Sequence, residues 1–171
     1  MSVVAKHIKK GNYLLLDKSV CVVLDATEIT SNSTHTVKLN VENFETNHHT
    51  TVHFGLSHNV RTLEPEVVHY DLVDLADCTE GEQFLSLMRK DTNEVDESVH
   101  VNNPQLVKYL QDHFSEDGDK NSLSVHMVRV KVDSLHRTET DRVVEKVTGV
   151  EGFDMKHLYD HHHNKHHTHH A

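Results

Sequence analysis

Tyr13-Leu-Leu-Leu-Asp-Lys-Ser-Val-Cys-Val-Val-Leu-Asp25 carries two apolar runs, Tyr13 to Leu16 and Val20 to Asp25, on either side of Asp17-Lys18-Ser19. Short apolar runs flanking a small polar turn predict a β-hairpin. The same pattern continues outward. Val37, Leu39 and Val41 alternate with Lys38, Asn40 and Glu42, the two-residue period of a half-buried strand. Val52 and Phe54 flank His53 before Gly55 breaks the run. Further strands are expected over 67–74, 84–88, 95–101, 125–132 and 142–147. In Ser124-Val-His-Met-Val-Arg-Val-Lys-Val132 apolar and polar residues alternate for most of the run, so one face should be buried and the other wet. A single segment reads as helix. Asn103 suits an N-cap, Pro104 the first helical position, and Leu106, Val107, Leu110 and Phe114 follow at helical spacing before Ser115 to Gly118 end it. Many strands and one helix predict a mainly β chain of small barrels, not a doubly wound sheet.

Composition narrows the classes. The 171 residues allow one or two small domains. Formal charge is −10 with neutral histidine, but protonating all 19 histidines would turn it to +9, so the chain reverses sign across the imidazole range. No apolar run approaches the roughly 18 residues that would span a bilayer, and Met1 to Lys10 has no signal-peptide core. The final Thr168-His-His-Ala171 is no peroxisomal tripeptide. The expectation is a cytoplasmic protein without membrane contact. The two cysteines form neither a disulfide framework nor a metal knuckle: Cys21 reads as a buried thiol in a strand, Cys78 as a surface thiol in a polar loop.

Charge is unevenly distributed. Residues 1–64 are neutral, 65–150 carry −9 and 151–171 carry −1. A proline at Leu63-Glu64-Pro65-Glu66 separates two strand patterns. Domains are therefore expected at 1–64 and 65–150, followed by a tail, 151–171. That tail places His157, His161, His162, His163, His166, His167, His169 and His170 in its last fifteen residues, with too little apolar surface to offset ordering entropy, and is expected to be mobile.

No catalytic motif is present: no GxSxG, no P-loop, no HExxH. Asp112, Glu116, Asp117 and Asp119 lack the spacing of a calcium loop and read as a solvated helix end. His49 and His53 share a strand face near His48, but sequence supplies no further fixed ligand for zinc. The strongest metal candidates are His161, His162, His163, His166, His167, His169 and His170, whose imidazoles suit adventitious Zn, Cu or Ni; no other cofactor is implied. Alternatively the tail is a pH-dependent charge device or an inert extension. The only basic cluster is Lys6, Lys9 and Lys10, the second domain repels phosphate, and aromatics are 5%, all of which disfavours nucleic acid as a partner.

The order of elements resembles the eukaryotic translation initiation factor 5A family and its derivative, the Woronin-body core protein of filamentous fungi. The residues carrying the likeness are His7-Ile-Lys-Lys-Gly-Asn-Tyr-Leu-Leu-Leu16, Cys21 to Asp25, Ser57-His-Asn-Val60, Tyr70-Asp-Leu-Val-Asp-Leu75, Phe84-Leu-Ser-Leu-Met88, the helix from Leu106 to Phe114 and the strand from Ser124 to Val132. The resemblance spans about residues 6–148. It implies an SH3-like barrel over the first domain and an OB-fold over the second. In the translation factor, a T-G-K-H-G-H-A-K loop carries the lysine converted to hypusine. By ungapped count that loop falls on Ser31-Asn-Ser-Thr-His-Thr-Val-Lys38, so Ser33 stands at the modified lysine and the loop tip is Ser31, Asn32, Ser33, Thr34 and His35. A hydroxyl cannot carry the aminobutyl group, so the resemblance implies that the modification is lost while the fold remains. Two readings follow, neither enzymatic: a self-associating structural protein, or a divergent factor contacting the ribosome or a translation protein.

Overall fold

The structure is a computed structural model, and it describes residues 1–114, 123–133, 141–153 and 155. Contacts divide the chain into two compact units, Met1–Glu66 with Arg129–Glu145, and Val67–Val128 with the chain from Lys146.

The first unit is built on a six-stranded sheet. Its strands are β1 (Ser2–Val4), β2 (Tyr13–Leu16), β3 (Ser19–Ser31), β4 (Thr34–Asn43), β5 (His49–Gly55) and β6 (Asn59–Leu63). They lie in the order β1-β6-β2-β3-β4-β5, with antiparallel pairing throughout. The expected hairpin around Asp17 forms: Leu16 pairs with Ser19, and Asp17 takes positive φ (57°) in the tight connection. Leu14, Val23 and Leu39 are the centre of this core, each under 2% exposed. Burying a side chain of that size contributes about 1.5–3 kcal/mol. Alternation places Val37, Leu39 and Val41 inside, but Glu42, expected on the wet face, is also buried. Inside this unit Arg61 Nη2 donates to the Asp133 carbonyl at 2.9 Å. Arg142 donates to the Lys18 carbonyl and faces Glu45 Oε1 at 3.2 Å.

The second sheet contains β7 (Pro65–Thr79), β8 (Glu82–Arg89), β9 (Val95–Val101), β10 (Ser124–Val132) and β11 (Arg142–Val150), in the order β11-β10-β7-β8-β9. Strand β7 runs five residues beyond its expected end at Asp74 because register shifts near Val73 and between Leu75 and Cys78 absorb its polar stretch while pairing with β8 continues. Cys78 is therefore exposed on a strand and not in a loop; Cys21 is buried, as expected. Strand β10 departs from simple alternation. Val125 and Met127 are buried in the second unit's core, but the buried set then changes parity to Val128, Val130 and Val132. The change falls where β10 passes from one unit to the other, between Val128 and Arg129.

Helix α1 (Pro104–His113) forms where Asn103 and Pro104 predict it. Asn103 Oδ1 accepts from the amides of Gln105 (3.0 Å) and Leu106 (3.2 Å), a cap worth about 1 kcal/mol. Leu106, Val107 and Leu110 face the core, and Phe114 is the C-cap residue. The expected stop from Ser115 onward lies outside the described residues. Gln83 is the buried polar residue among the described residues of this unit. Its amide nitrogen donates to the carbonyls of Ala76 (2.7 Å), within the irregularity of β7, and of Phe84 (2.9 Å) on β8. Beyond β11, Gly152 takes positive φ (79°) directly beside the Tyr109 hydroxyl, which donates to the Glu151 carbonyl at 3.0 Å. No described helix is long and apolar enough to cross a membrane.

Candidate functional site

The residues that sequence places at a loop tip, Ser31 to His35, do come together at the end of one hairpin, and all five are exposed. The connection is shorter than a loop of five. Ser31 pairs with Thr34 and Thr30 with His35, leaving Asn32 and Ser33 as a two-residue turn. Both have positive φ, 48° and 68°, as type I′ hairpin turns require. Asn tolerates this region, whereas Ser occupies a position that usually selects glycine. Thr30 Oγ1 and His35 Nδ1 are 3.1 Å apart across the ribbon. Strand β5 stops pairing with β4 at Gly55 and Thr36, so the last residues of the hairpin form a two-stranded ribbon.

Lys38 is not at this tip. It lies inside β4, paired with Thr27 on one side and His53 on the other, and is half-buried. Between Thr30 and Thr36 the only group that can become cationic is the His35 imidazole. Ser33 makes no side-chain hydrogen bond among the described residues. Its hydroxyl has no base to activate it, so the tip presents a contact surface and not a nucleophile.

A second polar group was not legible in the sequence. Glu42, His49 and Tyr13 share one sheet face through the row Tyr13–Val22–Glu42–His49. Glu42 Oε1 and His49 Nε2 are 3.1 Å apart. Burial pushes the Tyr13 phenol above its usual range, and the Glu42 carboxylate adds to that. Burial alone does the same to the Cys21 thiol. Alternation had sent Glu42 outward, so only the pairing of three strands reveals the group. His53 faces Lys38, four residues along β5 from His49, and has no part in it.

Leu15, Leu16, Val52 and Phe54 line a shallow depression of about 230 Å³ with His58 and Arg61 at its rim, and the Phe54 and His58 rings stack at 5.0 Å. That is below the roughly 300 Å³ at which small-molecule pockets begin. Among the described residues no group of three or more His, Cys, Asp or Glu is placed to share a metal ion. The tail histidines, His157 and His161 to His170, lie outside the described residues, as do Glu116, Asp117 and Asp119.

No protein-family model matches the sequence, and no curated protein matches it. Solved structures do match. A translation initiation factor eIF-5A family protein from Naegleria fowleri ATCC 30863 aligns over 88% of this chain and 96% of its own, with TM-score 0.55 and 14% identity. Eukaryotic translation initiation factor 5A from Methanococcus jannaschii aligns over 89% and 97%, with TM-score 0.58 and 13% identity. At such identity the likeness is one of fold. The chain has that factor's mainly β architecture, an SH3-like and an OB-like domain, with helix α1 in the second, and both neighbours carry the name of a translation initiation factor.

Proposed function

We propose that this chain is a non-enzymatic, cytoplasmic protein that uses an initiation factor 5A-like fold as a self-associating scaffold, similar to the Woronin-body core protein. The observation that carries the reading is the β3–β4 tip. It closes on Asn32 and Ser33, with no amine, while Lys38 is committed to the interior of β4. A hypusine-type modification needs a primary amine at the tip, and Ser33 offers a hydroxyl. Charge supports association that depends on pH. Copies carrying −10 repel one another near neutrality, and protonated histidines would meet the acidic residues of 65–150 at lower pH. Sedimentation velocity of the full chain at several concentrations, at pH 7.5 and 5.5, tests this. Reversible, concentration-dependent species, larger at pH 5.5, are expected; a monomer under every condition overturns the reading.

A second reading is favoured by the extent of the structural likeness. Both neighbours align over nearly their whole length, so neither half of the architecture has been discarded. On this reading the chain is a divergent factor that contacts the ribosome or a translation protein through surfaces other than the tip. Salt-sensitive co-sedimentation with ribosomes by a chain that stays monomeric would establish it in place of the first.

A further inference from the structure

We propose that His69 and His126 form a two-imidazole site for a divalent transition ion of tetragonal preference, Ni(II) or Cu(II), on the outer face of the second sheet. His69 is on β7 and His126 on β10, adjacent strands of that sheet, and both belong to the same unit. Their ring centroids are 4.5 Å apart with planes at 76°. An ion bound at about 2.1 Å to one nitrogen of each ring would lie roughly 3.2 Å from each centroid. With one nitrogen of each ring turned toward a shared ion, a 4.5 Å separation corresponds to a nitrogen–metal–nitrogen angle of about 90°, the cis angle of a square-planar or octahedral ion and narrower than the tetrahedral angle of zinc.

The surroundings leave the pair available. Neither imidazole makes a hydrogen bond or ion pair with another described residue. His69 lies between buried Val68 and Tyr70 and is itself exposed, while half-buried His126 lies between buried Val125 and Met127. The sheet therefore fixes both Cβ positions while the rings stay outside the core. Gly149 lies beside His126, where a Cβ would meet the imidazole in ordinary van der Waals contact, 3.5 Å from Nδ1. The nearby cation is held elsewhere: Lys90 Nζ is 2.7 Å from Ser124 Oγ and 3.4 Å from Asp71 Oδ1. Water completes the coordination sphere, and the site fills only while the imidazoles are neutral. It is separate from the β3–β4 tip and does not depend on the function proposed above.

The test must distinguish this pair from the many other histidines. Sites that exist equally in folded and unfolded chain give no stabilisation, whereas a pair assembled by the fold does. Thermal unfolding of the full chain with and without Ni(II) at pH 7.5 reads that difference. With free Ni(II) about tenfold above half-saturation, the Ni(II)-induced rise in Tm should exceed that of His69→Gln or His126→Gln by about 5 °C. His53→Gln, on the other unit, should keep the full rise, and a chelator should reverse it. Equal Ni(II)-induced shifts in the parent chain and both variants would overturn the site, as would a parent chain whose Tm does not respond. Exposed His69 is expected to tolerate substitution without metal, so its variant reads binding even if His126→Gln is destabilised.

Discussion

Gln111 Nε2 donates to the carboxamide oxygen of Gln83 at 3.0 Å, joining helix α1 to a buried group that has already spent both its amide hydrogens on β7 and β8. Three hydrogen bonds thus converge on a side chain 2% exposed. Leucine at position 83 would fill similar volume and leave the Ala76 and Phe84 carbonyls without that donor. Each buried group left unsatisfied costs about 1–3 kcal/mol. Gln83→Leu should therefore lower stability by about 2–4 kcal/mol, read as a reduced urea midpoint. Gln111→Leu, which loses one bond at the rim, should cost less than half as much. Equal losses would contradict the hierarchy of partners.

Gly152 and Tyr109 give a coupled pair. Alanine at 152 must adopt positive φ and would collide with the Tyr109 hydroxyl. Gly152→Ala is expected to cost about 1–3 kcal/mol. Tyr109→Phe removes the colliding atom, leaving the ring carbon 3.6 Å away. In the Tyr109→Phe background the alanine should therefore cost about half as much, the remainder being backbone strain. A double-mutant cycle by denaturant titration measures the coupling, and strict additivity would show that the hydroxyl is not the obstacle.

At the hairpin tip, Ser33→Gly replaces a strained residue with one that accepts φ near 68° freely. A gain of about 0.5–1 kcal/mol in stability is expected, visible as slower amide exchange at Thr30 and His35. Because the turn is Asn32-Ser33 alone, glycine at Ser31 or Thr34 should instead destabilise the ribbon.

Alkaline pH should weaken the first unit. The folded pKa values of Tyr13 and Cys21 are both raised above their ordinary values of 10.0 and 9.0. Groups shifted upward contribute stability below the unfolded pKa and lose that contribution as pH rises through the folded one. Stability should hold to about pH 9 and then fall, the thiol contributing first and the phenol next. Glu42→Gln should lower the Tyr13 pKa, since it removes the smaller of the two causes, and phenolate absorbance follows it. No movement would mean that burial acts alone.

The two thiols should react at different rates. Cys78 is exposed and Cys21 buried with a thiol harder to ionise, so a disulfide reagent at neutral pH should titrate one thiol per chain quickly and the second only on unfolding.

Much of the fold was legible because local pattern and tertiary structure agree. Asp17-Lys18-Ser19 turned where expected, Asn103-Pro104 opened the helix, and Val37, Leu39 and Val41 faced inward. The readings that changed belong to long strands. Polar Asp74 to Thr79 does not resemble a strand until β8 is laid beside it, and the parity of β10 switches where the strand passes from one unit to the other. The hairpin end within Ser31 to His35 closes on Asn32 and Ser33 alone and not on five residues, a turn hard to read because Asn-Ser is a weaker signal than Asn-Gly. Glu42 with His49, and His69 with His126, depend on pairing between strands, and in the second case the partners are 57 positions apart. No window on the sequence contains both members of that pair.

The contact between Gly152 and Tyr109 also bears on how such a chain can drift. A solved structure of similar fold shares 13% of its residues with this chain, so the fold tolerates exchange of one apolar side chain for another of similar volume at most positions. Position 152 is not free while tyrosine remains at 109, whereas exchange of Tyr109 for phenylalanine keeps the ring and gives up only an exposed hydrogen bond to the Glu151 carbonyl. The permitted order of substitutions is therefore directional. A lineage that loses the Tyr109 hydroxyl can later lose the glycine, whereas one that loses the glycine first must pass through a destabilised intermediate. Among homologues, a non-glycine residue at 152 should be found only where 109 is no longer tyrosine.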